Sequence, residues 1–471
     1  MLDNFSTLKR RDRQDIDWAL FSLYLGLIAI GWGMLYSVGH GTEGYPSNLS
    51  AFLLETAVGK QTIWVGISAA TLVFCLLVDT AFWRAFAYPV YGICVVLLVL
   101  LFLVGAEIKG ATSWFRIGPF TLQPSEFAKF GTALAVASYV SPKNVDLSTL
   151  RGQLPAFGIL AVPMLLILLQ PDPGSVLVFL GFGFALYREG FPGEVFAIAG
   201  ALAALIISSL VFEPLYVIAA LVAITAAVSI SSLPRVRNWG WYLLGVFVAV
   251  GGLLYFALPV VVIFLAGGLT VGLFYALWQR NKGSLATALF VITLLGSAIS
   301  LGTNWSFNNV LKAHQQARIN VWLKPDLNQR GAAYNLIQSK LAIGSGGLTG
   351  KGFLQGEMTM GQYVPEQNTD FIFCTVGEEH GFIGVTSVIA MFVLLMIRIS
   401  QIAERQRTVF ARAYAYGVLG MLFVHFLVNI GMTMGVMPII GIPLPFISKG
   451  GSALLGFTLL VGVLLKIDSS R

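Results

Sequence analysis

The residues best suited to chemistry lie in four short clusters along the chain. In the first, Glu126 and Lys129 are three positions apart and therefore share one face of a helix, for which Ser125 is the predicted N-cap. An ionisable pair in an apolar setting must face protein or water, because a charge in lipid is costly. The pattern therefore favours a functional pair, and a local ion pair at a helix start is the structural alternative.

The second and third clusters are rich in turn-forming residues. In the segment 170–174, Asp172 either caps the following helix or contributes to a site. The third cluster has six glycines between Gly344 and Gly356, with Lys340 and Lys351 nearby. Such a backbone can approach a ligand closely and direct its N–H groups at phosphate. A flexible linker is the alternative, which the interleaved Ile, Leu and Phe side chains argue against.

The fourth cluster, residues 364–381, is acidic. Asp370 precedes Glu378 by eight residues, about two helical turns, so the spacing predicts both carboxylates on one helix face. Two such carboxylates near a membrane surface indicate a cation site, a proton path or hydrogen bonds to sugar hydroxyls. Structural pairing with Lys340 or Arg318 is the alternative.

The elements that must position these clusters are membrane spans. Of the 471 residues, 57% are hydrophobic and 11% are charged, and the mean hydropathy is +0.81. This composition excludes a soluble globular protein, a disordered chain and a coiled coil. The three cysteines and four histidines lack metal-ligand spacing, so neither a disulfide framework nor a histidine-based metal site is expected.

Apolar runs predict an all-α polytopic membrane protein with about 14 transmembrane helices. The runs fall near residues 16–38, 61–80, 84–105, 125–140, 154–169, 174–187, 192–212, 214–232, 240–257, 259–278, 285–302, 371–397, 410–434 and 452–466.

The net charge is +7, and the positive residues lie in short loops between apolar runs, where they indicate the orientation of a membrane protein. The charge therefore gives no reason to expect a nucleic-acid partner. Lys and Arg are concentrated in alternate connections, so both termini are predicted to be cytoplasmic and the long segment 303–370 extracytoplasmic. The cations on the predicted cytoplasmic side are Arg84, Lys143, Arg151, Arg188, Arg235, Arg237, Arg280, Lys282, Arg398, Arg405 and Arg407.

Five stretches, in this order, resemble the SEDS family (shape, elongation, division and sporulation), and most closely its rod-shape branch, RodA. They are residues 117–126, 170–172, 338–347, 365–373 and 443–452. The resemblance implies a peptidoglycan glycosyltransferase of the bacterial cytoplasmic membrane, which polymerises lipid II into glycan strands during elongation and releases undecaprenyl pyrophosphate. It also implies a class B penicillin-binding protein as the crosslinking partner, together with other membrane proteins of the elongation complex.

The resemblance also implies an organisation of the chain. Because the family has about ten spans, about four are extra here. The expected regions are a cytoplasmic N-terminus (1–15), the first part of the membrane core (16–188), a region containing the extra spans (189–302), an extracytoplasmic catalytic loop (303–370) and the C-terminal membrane core (371–471).

The chain departs from the family at two positions that bear on chemistry. The family's catalytic aspartate aligns with Asn328, and an asparagine cannot accept a proton as a carboxylate does. Asp326 lies two residues earlier, so three hypotheses stay open: Asp326 is the base, the chain is inactive, or another carboxylate acts. Lys449 stands where the family has tyrosine, which adds a cation.

The implied reaction needs a carboxylate to accept the proton of the acceptor hydroxyl, and cations to stabilise the departing pyrophosphate. A divalent cation, Mg or Mn, is a further possibility, with no ligand set evident in the sequence. The candidate catalytic residues are Asp326 and Asn328. The candidate substrate-binding residues are Glu126, Lys129, Asp172, Arg318, Gln338, Lys340, Ser345, Lys351, Asp370, Glu378 and Lys449.

Two other functions remain as alternatives. A flippase or transporter of lipid-linked sugars would also have many spans, but it would concentrate its charges near the bilayer midplane. A catalytically impaired scaffold for wall synthesis would account for Asn328.

Overall fold

The computed structural model describes residues 16–43, 45–108, 110–118, 120–142, 144–232, 283–311, 313–323 and 333–470, with positions 268, 271–272, 274–275 and 277–278. In chain order the helices are α1 (Trp18–Glu43), α2 (Leu49–Glu55), α3 (Ala57–Leu77), α4 (Thr80–Ala85), α5 (Ala87–Val104), α6 (Pro124–Val140), α7 (Leu150–Leu169), α8 (Pro173–Val178), α9 (Gly183–Arg188), α10 (Gly193–Val211), α11 (Pro214–Ser231), α12 (Gly283–Asn309), α13 (Ala313–Leu323), α14 (Tyr334–Ser345), α15 (Glu357–Met360), α16 (Ile372–Glu404), α17 (Val409–Met434) and α18 (Gly451–Ser469).

In the described part of the chain, nine helices are long and apolar enough to cross a membrane. They are α1, α3, α5, α7, α10, α12, α16, α17 and α18. Helices suit these runs because a backbone in lipid must satisfy its hydrogen bonds internally. The predicted multi-pass helical architecture is therefore confirmed. The run 240–257 lies outside the described residues and 259–278 mostly so, and the count of about 14 stays a prediction.

The all-α prediction is wrong between α5 and α6, where three short antiparallel strands form a sheet. They are β1 (Ala106–Ile108), β2 (Ala111–Ile117) and β3 (Phe120–Leu122). β-branched and aromatic residues favour strands here. The turns use Gly110 and Gly118, whose φ angles of 82° and 59° suit glycine.

The sheet leads directly into α6 and sets where that helix begins. Pro124 occupies the first helical position, where its missing N–H costs nothing, and Gln123 is the N-cap. The prediction of Ser125 as N-cap is therefore wrong by two residues. Because α6 is buried along most of its length, its polar side chains must find partners inside the protein.

The described residues form two compact units, the first from those up to Pro192 together with those from residue 333 onward, and the second from those between Gly193 and Leu323. In the second unit, Ser209 Oγ donates to Ser300 Oγ at 3.0 Å and joins α10 to α12. Thr293 Oγ1 donates to Thr225 Oγ1 at 3.2 Å and joins α12 to α11. Hydroxyl pairs of this kind are typical of packed membrane helices. The expectation of about four extra spans in residues 189–302 stays a prediction.

One end of the first unit, which we call the arginine end, gathers charged residues from distant segments. Asp17 accepts hydrogen bonds from Arg398 Nε at 3.0 Å and Arg405 Nη2 at 2.7 Å. Arg188 pairs with Glu404 at 2.8 Å. Burial acts to raise the pKa of Asp17, but hydrogen bonds, first that from Arg398, outweigh it and hold the pKa below its ordinary value. Three arginines predicted for the cytoplasmic side thus lie at one end.

Candidate functional site

The polar motifs of the first unit meet at one irregular segment, residues 436–450, which we call the 436–450 loop. Gly435 ends α17 in the left-handed conformation with φ 79°. The prolines that follow cannot continue a helix, and so the chain stays irregular until α18 begins. They are Pro438, Pro443 and Pro445. Much of this loop is buried, which means that its backbone polar groups need partners.

α17 supplies two such partners from one face, one helical turn apart. His425 Nδ1 lies 3.0 Å from the Pro443 carbonyl oxygen. Asn429 Nδ2 donates to the carbonyl oxygens of Ile442 at 2.7 Å and Asp370 at 2.9 Å. The side chains of α17 thus fix the loop and also the chain just before α16.

The predicted pair Glu126–Lys129 lies directly behind this arrangement. Lys129 Nζ is 2.6 Å from Glu126 Oε2 and 3.0 Å from His425 Nε2, and it lies 5.0 Å from the ring centroid of Phe457. An ammonium group can only donate, so His425 Nε2 accepts and Nδ1 carries the proton given to Pro443. The ion pair is therefore confirmed as a contact, and it supports the loop through His425.

Burial decides what this pair can touch. Glu126 is 2% exposed and Lys129 is 1% exposed. Neither side chain presents a surface to a ligand, although the sequence predicted substrate contact. They support the 436–450 loop through His425, and their contact with substrate stays a prediction.

Glu378 forms the second lysine–glutamate pair of the site. Its Oε1 accepts from Lys351 Nζ at 2.9 Å and from Met358 N–H at 2.9 Å. Its Oε2 accepts from Thr359 N–H and Thr359 Oγ1, both at 2.8 Å. With four donors and no exposed surface, Glu378 clamps the glycine-rich segment to α16. The structural alternative of pairing with Lys340 is wrong for Glu378, because the chain turns back at the glycines and delivers Lys351 instead. The side chain of Arg318 lies outside the described residues, so that alternative stays a prediction.

The glycine-rich segment is ordered by close backbone packing on α16. A Cβ on Gly350 would lie 2.0 Å from the carbonyl oxygen of Glu379, so only glycine fits there. The N–H groups of Lys351 and Gly352 donate to the carbonyl oxygens of Glu378 and Glu379, both at 3.0 Å. The prediction that this backbone presents its N–H groups to phosphate is therefore wrong for these residues, and the flexible-linker alternative is wrong as well.

Asp172 joins two of the motif stretches. It caps α8 by accepting from Ser175 N–H at 3.1 Å, as one alternative predicted, and it also accepts from Gln123 Nε2 at 2.9 Å. Gly174 lies against the 436–450 loop, where a Cβ would be 3.3 Å from the carbonyl oxygen of Ile440. The chain that follows the stretch 170–172 thus packs against the 436–450 loop, and Asp172 joins that chain to Gln123.

Asp370, beside the 436–450 loop, and Lys449, within it, are both half-buried. Ser448 Oγ donates to the Thr369 carbonyl at 2.6 Å, and Lys449 N–H donates to the Asn368 carbonyl at 2.8 Å. These bonds tie residues 368–370 to the 436–450 loop. The prediction that Asp370 and Glu378 share one helix face is wrong, because α16 begins only at Ile372.

A cavity of about 400 Å³ opens beside this junction. Its lining includes Tyr45, Glu55, Thr56, Gln362 and Asn368. Amide, hydroxyl and carboxylate groups of this kind suit the hydroxyls of a sugar.

The remaining predicted residues are dispersed. Lys340 is exposed on α14, and a Cβ on Gly435 would lie 2.7 Å from its Nζ, at the helix end where the dipole favours a cation. Gln338 is half-buried on α14, and Ser345 is exposed with its hydroxyl donating to the Ala342 carbonyl at 2.8 Å. Asp326, Asn328 and the side chain of Arg318 lie outside the described residues.

No group of three or more His, Cys, Asp or Glu side chains is placed to hold a metal ion within the described ranges. The carboxylates of Asp172 and Glu378 already accept hydrogen bonds from other groups of the protein. The expectation of Mg or Mn therefore stays a prediction.

Sequence reasoning missed the two polar residues of α17, His425 and Asn429. The signal was present, because polar side chains four residues apart share one face of a span and are uncommon inside a membrane. It also missed Ser37, whose hydroxyl donates to the buried Glu379. No local pattern marks that contact, since the two residues are distant in the chain.

Comparisons with known proteins match the whole chain. The family model described as "Cell cycle protein", that of FtsW, RodA and SpoVE, matches residues 17–226 and 222–471. The chain is 30% identical over 468 residues to peptidoglycan glycosyltransferase RodA of Treponema pallidum (strain Nichols), covering 98% of this chain and 100% of that protein. It is 28% identical to peptidoglycan glycosyltransferase MrdB of Escherichia coli (strain K12), covering 100% and 98%.

The fold also matches a solved structure described as "Structural coordination of polymerization and crosslinking by a peptidoglycan synthase complex". The TM-score is 0.61 at 22% identity, covering 97% of this chain and 98% of that one. At this identity the match concerns the fold.

Proposed function

The chain belongs to the cell cycle protein family of FtsW, RodA and SpoVE, and from this premise we propose that it polymerises lipid II during cell elongation. It is a peptidoglycan glycosyltransferase, as its curated relatives are named. The reaction joins an acceptor sugar hydroxyl to the anomeric carbon of a donor. The bond from that carbon to pyrophosphate breaks, and undecaprenyl pyrophosphate leaves with the bonding electrons.

The observation that supports this proposal is the convergence of the motif stretches on the 436–450 loop. Hydrogen bonds join the segment of Asp370 to that of Lys449, and Gly174, two residues after Asp172, packs against Ile440 of the same loop. A transporter would place such residues along a path through the membrane. Here they collect near the ends of spans, which suits a reaction at a membrane surface.

Cations for the leaving pyrophosphate are available on this side of the unit. We assign that role to Lys340 and Lys449, because Lys340 is exposed and Lys449 is half-buried at the junction. Lys351 is assigned to structure, since Glu378 already holds its ammonium at 2.9 Å. Cations near a departing phosphate stabilise the negative charge that develops in the transition state.

We assign the base to Asp326, two residues before Asn328 in the predicted extracytoplasmic loop. A carboxylate must reach the acceptor hydroxyl within hydrogen-bonding distance to take its proton. Two residues in an extended segment span about 7 Å, so the loop must be displaced relative to the family's usual arrangement.

Two variants assayed on lipid II with purified protein test the base. If Asp326 acts, Asp326→Ala abolishes polymerisation and Asn328→Asp changes it little. If the parent is nearly inert and Asn328→Asp gains roughly 10²–10⁴-fold, the worth of a positioned base, the chain is a catalytically impaired scaffold. Translocation of lipid-linked sugar without polymer would identify a transporter.

The cellular arrangement is also proposed from the resemblance. We place residues 303–370 outside the membrane, with both termini in the cytoplasm, and we propose a class B penicillin-binding protein as crosslinking partner. Cysteine labelling at Gln329 in intact cells with an impermeant reagent tests the orientation. Labelling only after the inner face is opened would overturn it.

A divalent cation is proposed to assist the pyrophosphate as it leaves. Chelation of Mg and Mn during the lipid II assay is expected to lower the rate, with recovery on adding either ion back. A rate that is unchanged by chelation would leave the lysines as the source of positive charge.

A further inference from the structure

A second cavity, which we call the arginine cavity, lies at the arginine end of the first unit. Its volume is about 680 Å³, within the range of small-molecule sites. Its lining comes from α4, the last turn of α6, residues 406–411 and the end of α18. The polar side chains used below are Thr80, Arg84, Ser138, Arg407 and Thr408.

The charge of this cavity is not neutralised by its own walls. Arg84 and Arg407 both line it, and among its described lining residues none is an acid. Neither arginine takes part in an ion pair within the described part of the chain; Arg84 Nη2 donates to Ser141 Oγ at 3.5 Å. Both arginines are exposed residues.

Other arginines at this end of the unit differ from Arg84 and Arg407, because they have carboxylate partners. Arg188, Arg398, Arg405 and Arg412 each pair with a carboxylate at 2.8 Å or less. The acids next in the chain to the cavity are also engaged. Asp468 accepts from Arg405 Nε at 2.8 Å, and Asp79, whose side chain is 88% exposed, lies 3.8 Å from Lys466. Two positive charges therefore remain for an external anion.

The surroundings of α4 indicate the depth at which this anion sits. Phe82 and Phe86 are exposed and stack with ring centroids 4.5 Å apart. α4 connects the apolar helices α3 and α5, which are both candidate membrane spans, so it lies where the chain turns at the edge of the apolar layer. An arginine pair at that depth lies at the level of lipid headgroups.

We propose that the arginine cavity binds the phosphate headgroup of an anionic phospholipid. Arg84 and Arg407 contact the phosphate, since guanidinium groups match its geometry. The hydroxyls of Thr80, Ser138 and Thr408 face the polar remainder of the headgroup, and Phe410 and Ile467 line the apolar part of the cavity. This site is separate from the motif residues, which lie at the 436–450 loop.

Native mass spectrometry of the full chain with equal amounts of phosphatidylglycerol and phosphatidylcholine tests the proposal. We expect phosphatidylglycerol to be retained preferentially. Arg84→Gln or Arg407→Gln should each lower its affinity roughly fivefold, and the double variant roughly thirtyfold. Arg151→Gln removes an exposed arginine in the first turn of α7 that does not line the cavity, and it should change the affinity less than about twofold.

Three results would overturn the proposal. An equal loss in Arg151→Gln would show that general surface charge attracts the lipid. No preference for phosphatidylglycerol would remove the anionic headgroup as ligand. Protection of the protein from thermal melting by inorganic phosphate, with no phosphatidylglycerol bound, would assign the cavity to a soluble phosphate. Unchanged melting of the double variant without ligand confirms that its fold is intact.

Discussion

Two lysine–glutamate pairs hold the candidate site, and they differ in what satisfies the carboxylate. Glu378 accepts from Lys351 and from three neutral donors of residues 358 and 359. Glu126 Oε2 contacts Lys129 Nζ at 2.6 Å, and besides this ammonium no donor among the described residues serves that oxygen. The comparison indicates that Glu378 keeps most of its stabilisation without its lysine, whereas Glu126 does not.

The two lysines also differ in how much of each side chain is exposed to water. Lys351 has 27% of its side chain exposed, so water can take its place beside Glu378. Lys129 is enclosed by Glu126, His425 and the ring of Phe457. A buried charge that loses its partner pays the full desolvation cost, and an interfacial one does not. Two lysine–glutamate pairs can therefore contribute differently to the free energy of unfolding.

The largest expected effect comes from Lys129→Met, which leaves Glu126 buried without its cation. We expect a loss of about 3–5 kcal/mol in the free energy of unfolding, measured as a lower melting temperature in detergent. The double variant Glu126→Gln with Lys129→Met removes both charges and should recover most of the stability. If Lys129→Met melts like the parent and only polymerisation is lost, the pair acts on substrate, as the sequence predicted.

A smaller effect is expected from His425→Leu, which separates Lys129 from the 436–450 loop. The Pro443 carbonyl and the Lys129 ammonium each lose a partner, at a cost of about 1–3 kcal/mol. We expect the lipid II polymerisation rate to fall with melting. His425→Gln can still accept from Lys129 or donate to Pro443, and it should recover part of both. Equal behaviour of the two variants would show that the histidine merely fills space.

These two regions also show what the sequence could predict. The Glu126–Lys129 contact follows from local spacing, because residues three apart on a helix meet wherever the helix lies. The spans follow from apolar runs for a similar reason. Neither argument needs the tertiary fold.

The rest of the site depends on how distant segments pack. His425 reaches Lys129 across 296 positions in the chain, and no local pattern marks that partner. Lys351 meets Glu378 only because Gly350 and Gly381, both with positive φ, let two backbones approach closely. The short sheet at 106–122 was missed because β1 and β3 have only three residues each, and the seven residues of β2 do not alternate between apolar and polar side chains.

Lys351→Met should have a modest effect, about 1 kcal/mol, because three donors to Glu378 remain and the lysine is partly in water. The measurement is again the melting temperature in detergent. Arg151→Met is the control, since Arg151 is an exposed cation in the first turn of α7 away from the site, and its melting should be no lower than that of the parent. A loss from Lys351→Met as large as that from Lys129→Met would contradict the comparison.

The smallest expected effect is the pH dependence of the Lys351 contribution. The hydrogen bond to Glu378 raises the pKa of Lys351 above its ordinary value of 10.5, although burial acts in the opposite direction. A group whose pKa is raised in the folded state contributes stability fully below its unfolded pKa, and this contribution is lost as the pH rises through the folded pKa. The melting difference between the parent and Lys351→Met should therefore be constant from about pH 6 to about pH 9 and shrink only in more alkaline buffer. A difference that already disappears near pH 8 would mean that a group other than this ammonium controls the clamp on Glu378.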